Sequence, residues 1–95
     1  MAHKNCFMVS NKIFNLGLKP RDFIVYCCLV KHKDNEKNTC FPSRSTIAKE
    51  CNIDIKTVDV AIEKLIKTNL ICKINRKREN GSHTSNLYVV NNLLK

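Results

Sequence analysis

Phe41-Pro42-Ser43-Arg44-Ser45-Thr46-Ile47-Ala48-Lys49-Glu50-Cys51-Asn52-Ile53-Asp54-Ile55-Lys56-Thr57-Val58 is the stretch that decides the fold. Ser43, just after Pro42, is a good N-cap, because a serine oxygen accepts from backbone N–H groups that a first helical turn leaves unsatisfied. A helix then follows over roughly 44–51, with Ile47, Ala48 and Cys51 on its inward side. Asn52 stands where the chain must turn left-handed, and asparagine is the next best residue to glycine there. Asp54 caps a second helix whose inward stripe is Val58, Ala61, Ile62, Leu65 and Ile66. Apolar residues fall only where two crossing helices touch, with small Ala48 and Ala61 at the close approach.

Working outward, the elements on either side complete a small α+β pattern. Lys19-Pro20 opens a helix over 19–33, since proline suits a first turn and Asp22 suits the positive end of the helix dipole. Phe23, Cys27 and Val30, with Ile24 and Tyr26, form its apolar face, and Lys31, His32 and Lys33 suit its negative end. Phe7-Met8-Val9, in an N-terminal arm over 1–14, is either a short strand or a packed arm. Thr39-Cys40-Phe41 is a short extended piece. Asn69 offers a second left-handed cap after the third helix, and Leu70 to Asn75 alternates as a strand. That alternation puts Leu70, Cys72 and Ile74 on one face and Ile71, Lys73 and Asn75 on the other. Arg76 to Thr84 is polar and basic with Gly81, as a hairpin tip requires, and Leu87-Tyr88-Val89-Val90 returns. Helix, strand, helix, helix, strand, hairpin and strand in that order make a winged helix-turn-helix: the helix-turn-helix over 43–68, the wing over 70–90, and one domain over 1–95.

Composition limits what such a domain can do. Ninety-five residues, 43% hydrophobic, suit one modest core. The longest apolar run, Phe23 to Val30, is too short to span a membrane, and no signal peptide is visible, so a cytoplasmic location is expected. The six cysteines lie at 6, 27, 28, 40, 51 and 72 without a C-x-x-C pair or finger spacing. They read as reduced thiols acting as small hydrophobes, with Cys51 and Cys72 at buried positions. His3, His32 and His83 are far apart in the sequence, and no phosphate-binding glycine loop or nucleophile motif is present. No catalytic residue, metal, cofactor or small-molecule substrate is expected. The net charge of +9 favours a polyanionic partner.

From Phe14 to Val90, about four fifths of its length, the chain resembles the winged helix-turn-helix domains of plasmid and phage replication initiators and their stand-alone relatives. The resemblance rests on Leu16-Gly17-Leu18, Phe41-Pro42-Ser43, Thr46-Ile47-Ala48, Lys56-Thr57-Val58, Ala61-Ile62-Glu63-Lys64-Leu65 and Asn69-Leu70-Ile71. At Asn69 those domains commonly have glycine. The resemblance implies double-stranded DNA binding without catalysis, helix three lying in the major groove and the wing along the backbone or minor groove. It places Ile55, Lys56, Thr57, Asp59, Val60, Glu63 and Lys64 on the outward face of helix three.

The distribution of charge shifts the expected contact toward the wing. Residues 41–69 carry five cations and four anions, a net of +1, whereas 70–95 carry five cations against Glu79 and 1–40 seven against three. Phosphate neutralisation supplies most non-specific affinity, so Lys73, Arg76, Lys77 and Arg78 should carry the salt-dependent part, with Asn80, Ser82, His83 and Thr84 as short hydrogen-bonding partners. Arginines also suit the narrow, electronegative minor groove of AT-rich DNA. The competing reading is a solvated basic turn. Ser43, Arg44, Ser45 and Thr46 can donate to phosphate, or Ser43 serves only as a cap. Lys56, Thr57 and Lys64 are the candidate contacts on helix three. Asp59 and Glu63 are either repelled by phosphates or accept from a cytosine amino group. Ile55 and Val60 touch thymine methyls, form a dimer contact or are simply exposed.

Three functions follow from this reading. One is a DNA-binding accessory protein acting at a replication or transfer origin of a mobile element, partnered by a relaxase or initiator. The second is a transcriptional repressor reading the major groove, and the third a protein-interaction winged helix that has lost DNA binding. A homodimer is expected for either DNA reader, because one short helix and one wing give limited specificity.

Overall fold

A computed structural model describes residues 6–34, 36–74 and 86–91. A 3-10 helix, Asn11–Leu16, comes first among the described elements; before it Phe7-Met8-Val9 forms no strand, with Phe7 and Met8 exposed and Val9 packed against the core. Ser10 caps it, accepting from the Lys12 N–H at 3.1 Å, and Gly17 ends it at φ +66°, a conformation that costs glycine nothing. Only Ile13 of this turn is buried.

Helix α1, Pro20–His32, starts as expected at its proline. Its burial is broader than one face: every residue from Val25 to Val30 is buried, with Val25 and Leu29 fully enclosed, while Ile24 is 41% exposed. The reason is position, since α1 lies against α2, α3 and β3 together and has little circumference left for water. Asp22, in its first turn, is fully buried, with the Arg21 guanidinium 3.5 Å away.

After α1, Asp34 organises the turn that follows. Its carboxylate accepts from the Glu36 N–H at 2.8 Å and the Lys37 N–H at 3.4 Å, bonds that hold its pKa below the usual carboxylate value. Asn38, left-handed at φ 57°, then leads into strand β1, Thr39–Cys40.

Helix α2, Arg44–Cys51, spans the residues expected of it, and helix α3, Ile55–Lys67, begins after the expected cap Asp54. Ser43 Oγ accepts from the Thr46 N–H at 3.1 Å, and Asp54 accepts from the Thr57 N–H at 2.9 Å. Asn52 makes the left-handed turn at φ 58°, and the Ile53 N–H closes it on the Ala48 carbonyl at 3.1 Å. Val58, Ala61, Ile62 and Leu65 are all buried. Full burial of a Val or Leu side chain contributes about 1.5–3 kcal/mol, so this stripe holds α3 against α1 and α2. Asn69, at φ 62°, ends α3, and the Leu70 N–H returns to the Leu65 carbonyl at 3.0 Å.

Strands β2, Ile71–Ile74, and β3, Leu87–Val90, pair antiparallel, and β1 joins the other edge of β3, giving the order β1-β3-β2. Ile71 pairs with Val90 and Lys73 with Tyr88. The inward residues are therefore Ile71, Tyr88 and Val90, all buried, and Cys72 and Ile74 are exposed. This reverses the expected faces of β2 and removes Cys72 from the core. Leu70 is buried too, but it belongs to the turn after Asn69, so strand alternation begins one residue later than the apolar pattern suggests. Asn91 ties the sheet to the helices, with its N–H on the Leu70 carbonyl at 2.8 Å and its own carbonyl accepting from Tyr26 Oη at 3.0 Å. This is a winged helix-turn-helix of the α+β class.

Candidate nucleic-acid interface

The sequence of α3 divides it into two faces. The apolar stripe packs on α1, α2 and β2, and the opposite face leaves Ile55, Lys56, Asp59, Val60, Glu63 and Lys64 exposed. The capped turn from Asn52 to Asp54 sets the angle at which this face is presented. Lys56 stands in the first turn, Lys64 and Lys67 near the end, so cations occupy both ends of the exposed surface.

Arg44 sits where α2 begins, and its guanidinium meets Asp59 on α3 in a two-pronged ion pair: Nε to Oδ1 at 2.9 Å and Nη2 to Oδ2 at 3.0 Å. Planar guanidinium and carboxylate match in such a fork, which fixes orientation as well as charge. The pair neutralises Asp59, the first of the two acids within α3. With Asp59 balanced by Arg44, the exposed α3 face carries Lys56, Lys64 and Lys67 against Glu63 alone. The two partners are 15 residues apart and on different helices, so no local pattern announces the contact.

Beside this face, α3 and the sheet enclose an open cleft of about 320 Å³ lined by Arg44, Asp59, Ile62, Glu63, Lys73, Asn86 and Tyr88. Lys73, exposed on β2, brings a cation from the strand pair to the same side as the α3 face. Burial pushes the Tyr88 phenol above its ordinary pKa, so it stays neutral. Apart from Ile62 and Tyr88, the cleft is lined by charged and amide groups, and it is open to water, suiting a polar, hydrated contact surface.

The remaining sequence-derived candidates fall into three groups. Ser43 acts as a cap, its hydroxyl also lying 2.9 Å from Thr46 Oγ1, while Ser45 is exposed beside it. Thr57 is half-buried, and its backbone N–H is spent on the Asp54 cap. Arg76, Lys77, Arg78, Asn80, Ser82 and His83, together with Thr84, lie outside the described residues.

Comparison with known proteins agrees with this architecture. A family model described as a helix-turn-helix domain matches residues 16–71, more than half of the chain and all three α-helices. Among solved structures, the chain is similar to a possible transcriptional regulator from Methanosarcina mazei Go1, with a TM-score of 0.64 at 15% identity, over 95% of this chain and 78% of that one. No curated protein matches the sequence. The structural likeness concerns the fold, and the helix-turn-helix match supports a DNA-binding role. By residues 16–71 this chain belongs to the helix-turn-helix domain family.

Proposed function

We propose that the protein is a non-enzymatic reader of double-stranded DNA, with α3 in the major groove and the basic segment between β2 and β3 on the adjacent backbone or minor groove. The observation that carries this reading is the exposed face of α3, which meets Lys73 of the strand pair across one open cleft. In the proposed pose, Lys56, Lys64 and Lys73 neutralise phosphates, Ser45 donates to the backbone from the start of α2, and Ile55 and Val60 meet thymine methyls. Arg76, Lys77 and Arg78 supply the largest salt-dependent share, supported by the net charge of 70–95.

The proposed target is a specific site at a replication or transfer origin of a mobile element, bound by a homodimer alongside an initiator or relaxase. A second reading is regulation of transcription at a promoter, favoured by the description of the Methanosarcina mazei structure as a possible transcriptional regulator. Footprinting on selected duplexes tests the contact model. Alanine at Arg76, Lys77 and Arg78 together is expected to erase protection beside the major-groove contact and weaken binding at least tenfold. If that variant binds normally while Lys56→Ala and Thr57→Ala abolish binding, the wing-led pose is wrong. Mapping the protected sites in the genome separates origins from promoters.

A further inference from the structure

Where α1 and α2 pack together, three metal-ligating side chains meet. Cys28 and His32 stand four residues apart, hence on the same side of α1, and Glu50 reaches them from the last turn of α2. The Cys28 thiol lies 3.3 Å from Glu50 Oε1, and His32 Nε2 lies 2.7 Å from the same oxygen. One ligand atom from each residue falls within a sphere where all are within 4.8 Å of one another. Bond lengths of about 2.0–2.3 Å at tetrahedral angles put neighbouring ligand atoms of a zinc site roughly 3.3–3.6 Å apart, so small rotations suffice.

We propose that Cys28, His32 and Glu50 form a three-ligand site for a borderline divalent ion, Zn²⁺ fitting best, with water in the fourth position. The donor set of thiolate, imidazole and carboxylate selects Zn²⁺ or Co²⁺ over Mg²⁺ and Ca²⁺, which take oxygen. Charge closes as well: a dication meets one thiolate and one carboxylate, the thiol proton leaving to solvent. Lys31 Nζ, 2.9 Å from Glu50 Oε2, holds the second carboxylate oxygen and leaves Oε1 to face the ion. His32 and Glu50 are each about one third exposed, giving an ion and its water a path in. The ion clasps the last turn of α2 to α1, whereas Arg44, the first residue of α2, bonds to Asp59 on α3. It therefore braces the frame.

Titration of the reduced, metal-free protein with Co²⁺ tests the site. One equivalent is expected to bring a thiolate-to-cobalt charge-transfer band and tetrahedral visible bands, both bleached by Zn²⁺ and unaffected by Mg²⁺. Zn²⁺ at a hundredfold excess over its Kd is expected to raise Tm by about 10 °C or more. His32→Ala and Glu50→Gln, both at exposed positions, should lose the bands and the Tm rise while keeping the far-ultraviolet spectrum of the wild type. They decide the matter if Cys28→Ser fails to fold. Absence of the bands in the wild type overturns the proposal. So does their survival in His32→Ala, or their loss in Cys6→Ser or Cys72→Ser.

Discussion

Arg44 and Asp59 show how one residue pair changes the sense of a surface. Taken along the sequence, Asp59 is an anion that phosphate would repel, but in the fold it is held by Arg44 in a two-pronged contact. Both side chains are about half exposed, so the pair contributes at most about 1 kcal/mol to stability. Its larger effect falls on binding. Asp59→Asn releases a guanidinium at the start of α2, and the slope of log affinity against log salt is expected to steepen by about one unit. A competition assay across salt concentrations measures it, and an unchanged slope would mean that Arg44 points away from the DNA. Ser43→Ala removes an N-cap and should cost about 1 kcal/mol in denaturant unfolding.

Asp54 supplies the pH dependence expected at this scale. The side-chain hydroxyl and backbone N–H of Thr57 hold its pKa below the usual carboxylate value. Because the folded value lies below the unfolded one, the stabilisation is present above the unfolded pKa of about 3.9 and is lost as pH falls through the folded pKa. Asp54→Asn keeps a capping oxygen without the charge. Below about pH 5, its stability should therefore fall less steeply than that of the wild type in thermal melts at stepped pH.

At the scale of elements, local chemistry made the helices readable before any packing was known. Pro20, Ser43, Asn52, Asp54 and Asn69 each carry a backbone preference strong enough to mark a boundary, and all five stand at the ends of observed helices. The β2 strand was harder, because Leu70 is buried by the turn and Ile71 by the sheet. Two successive buried residues break a period of two, and the sequence alone cannot say where alternation starts. The 3-10 helix at Asn11–Leu16 buries one side chain and so leaves no apolar period to find. The outward placement of Lys56 and Lys64 on α3 was legible from the helical period, and Lys73 is exposed on β2. The Arg44–Asp59 pair and the approach of Glu50 to Cys28 and His32 arise from helix crossing and have no linear signature. Within α3, Leu65 is completely buried, and Leu65→Ala should destabilise the fold by about 2–5 kcal/mol in denaturant unfolding.

For the whole molecule, the core and the proposed reading surface share one helix. The buried stripe of α3 joins it to α1, α2 and the sheet, and its other side is exposed. The protein-interaction reading rests on exposed Ile55 and Val60, which sit among lysines on that side. A partner protein would reward the apolar pair, whereas duplex DNA rewards both the lysines and the apolar pair. Selection of bound sequences from a pool of random duplexes, followed by affinity measurements across salt, tests whether the protein reads duplex DNA. An enriched motif is expected, with an affinity that falls by at least a hundredfold between low and physiological salt, as neutralisation of several phosphates requires. No enriched sequence and no binding even at low salt would contradict it.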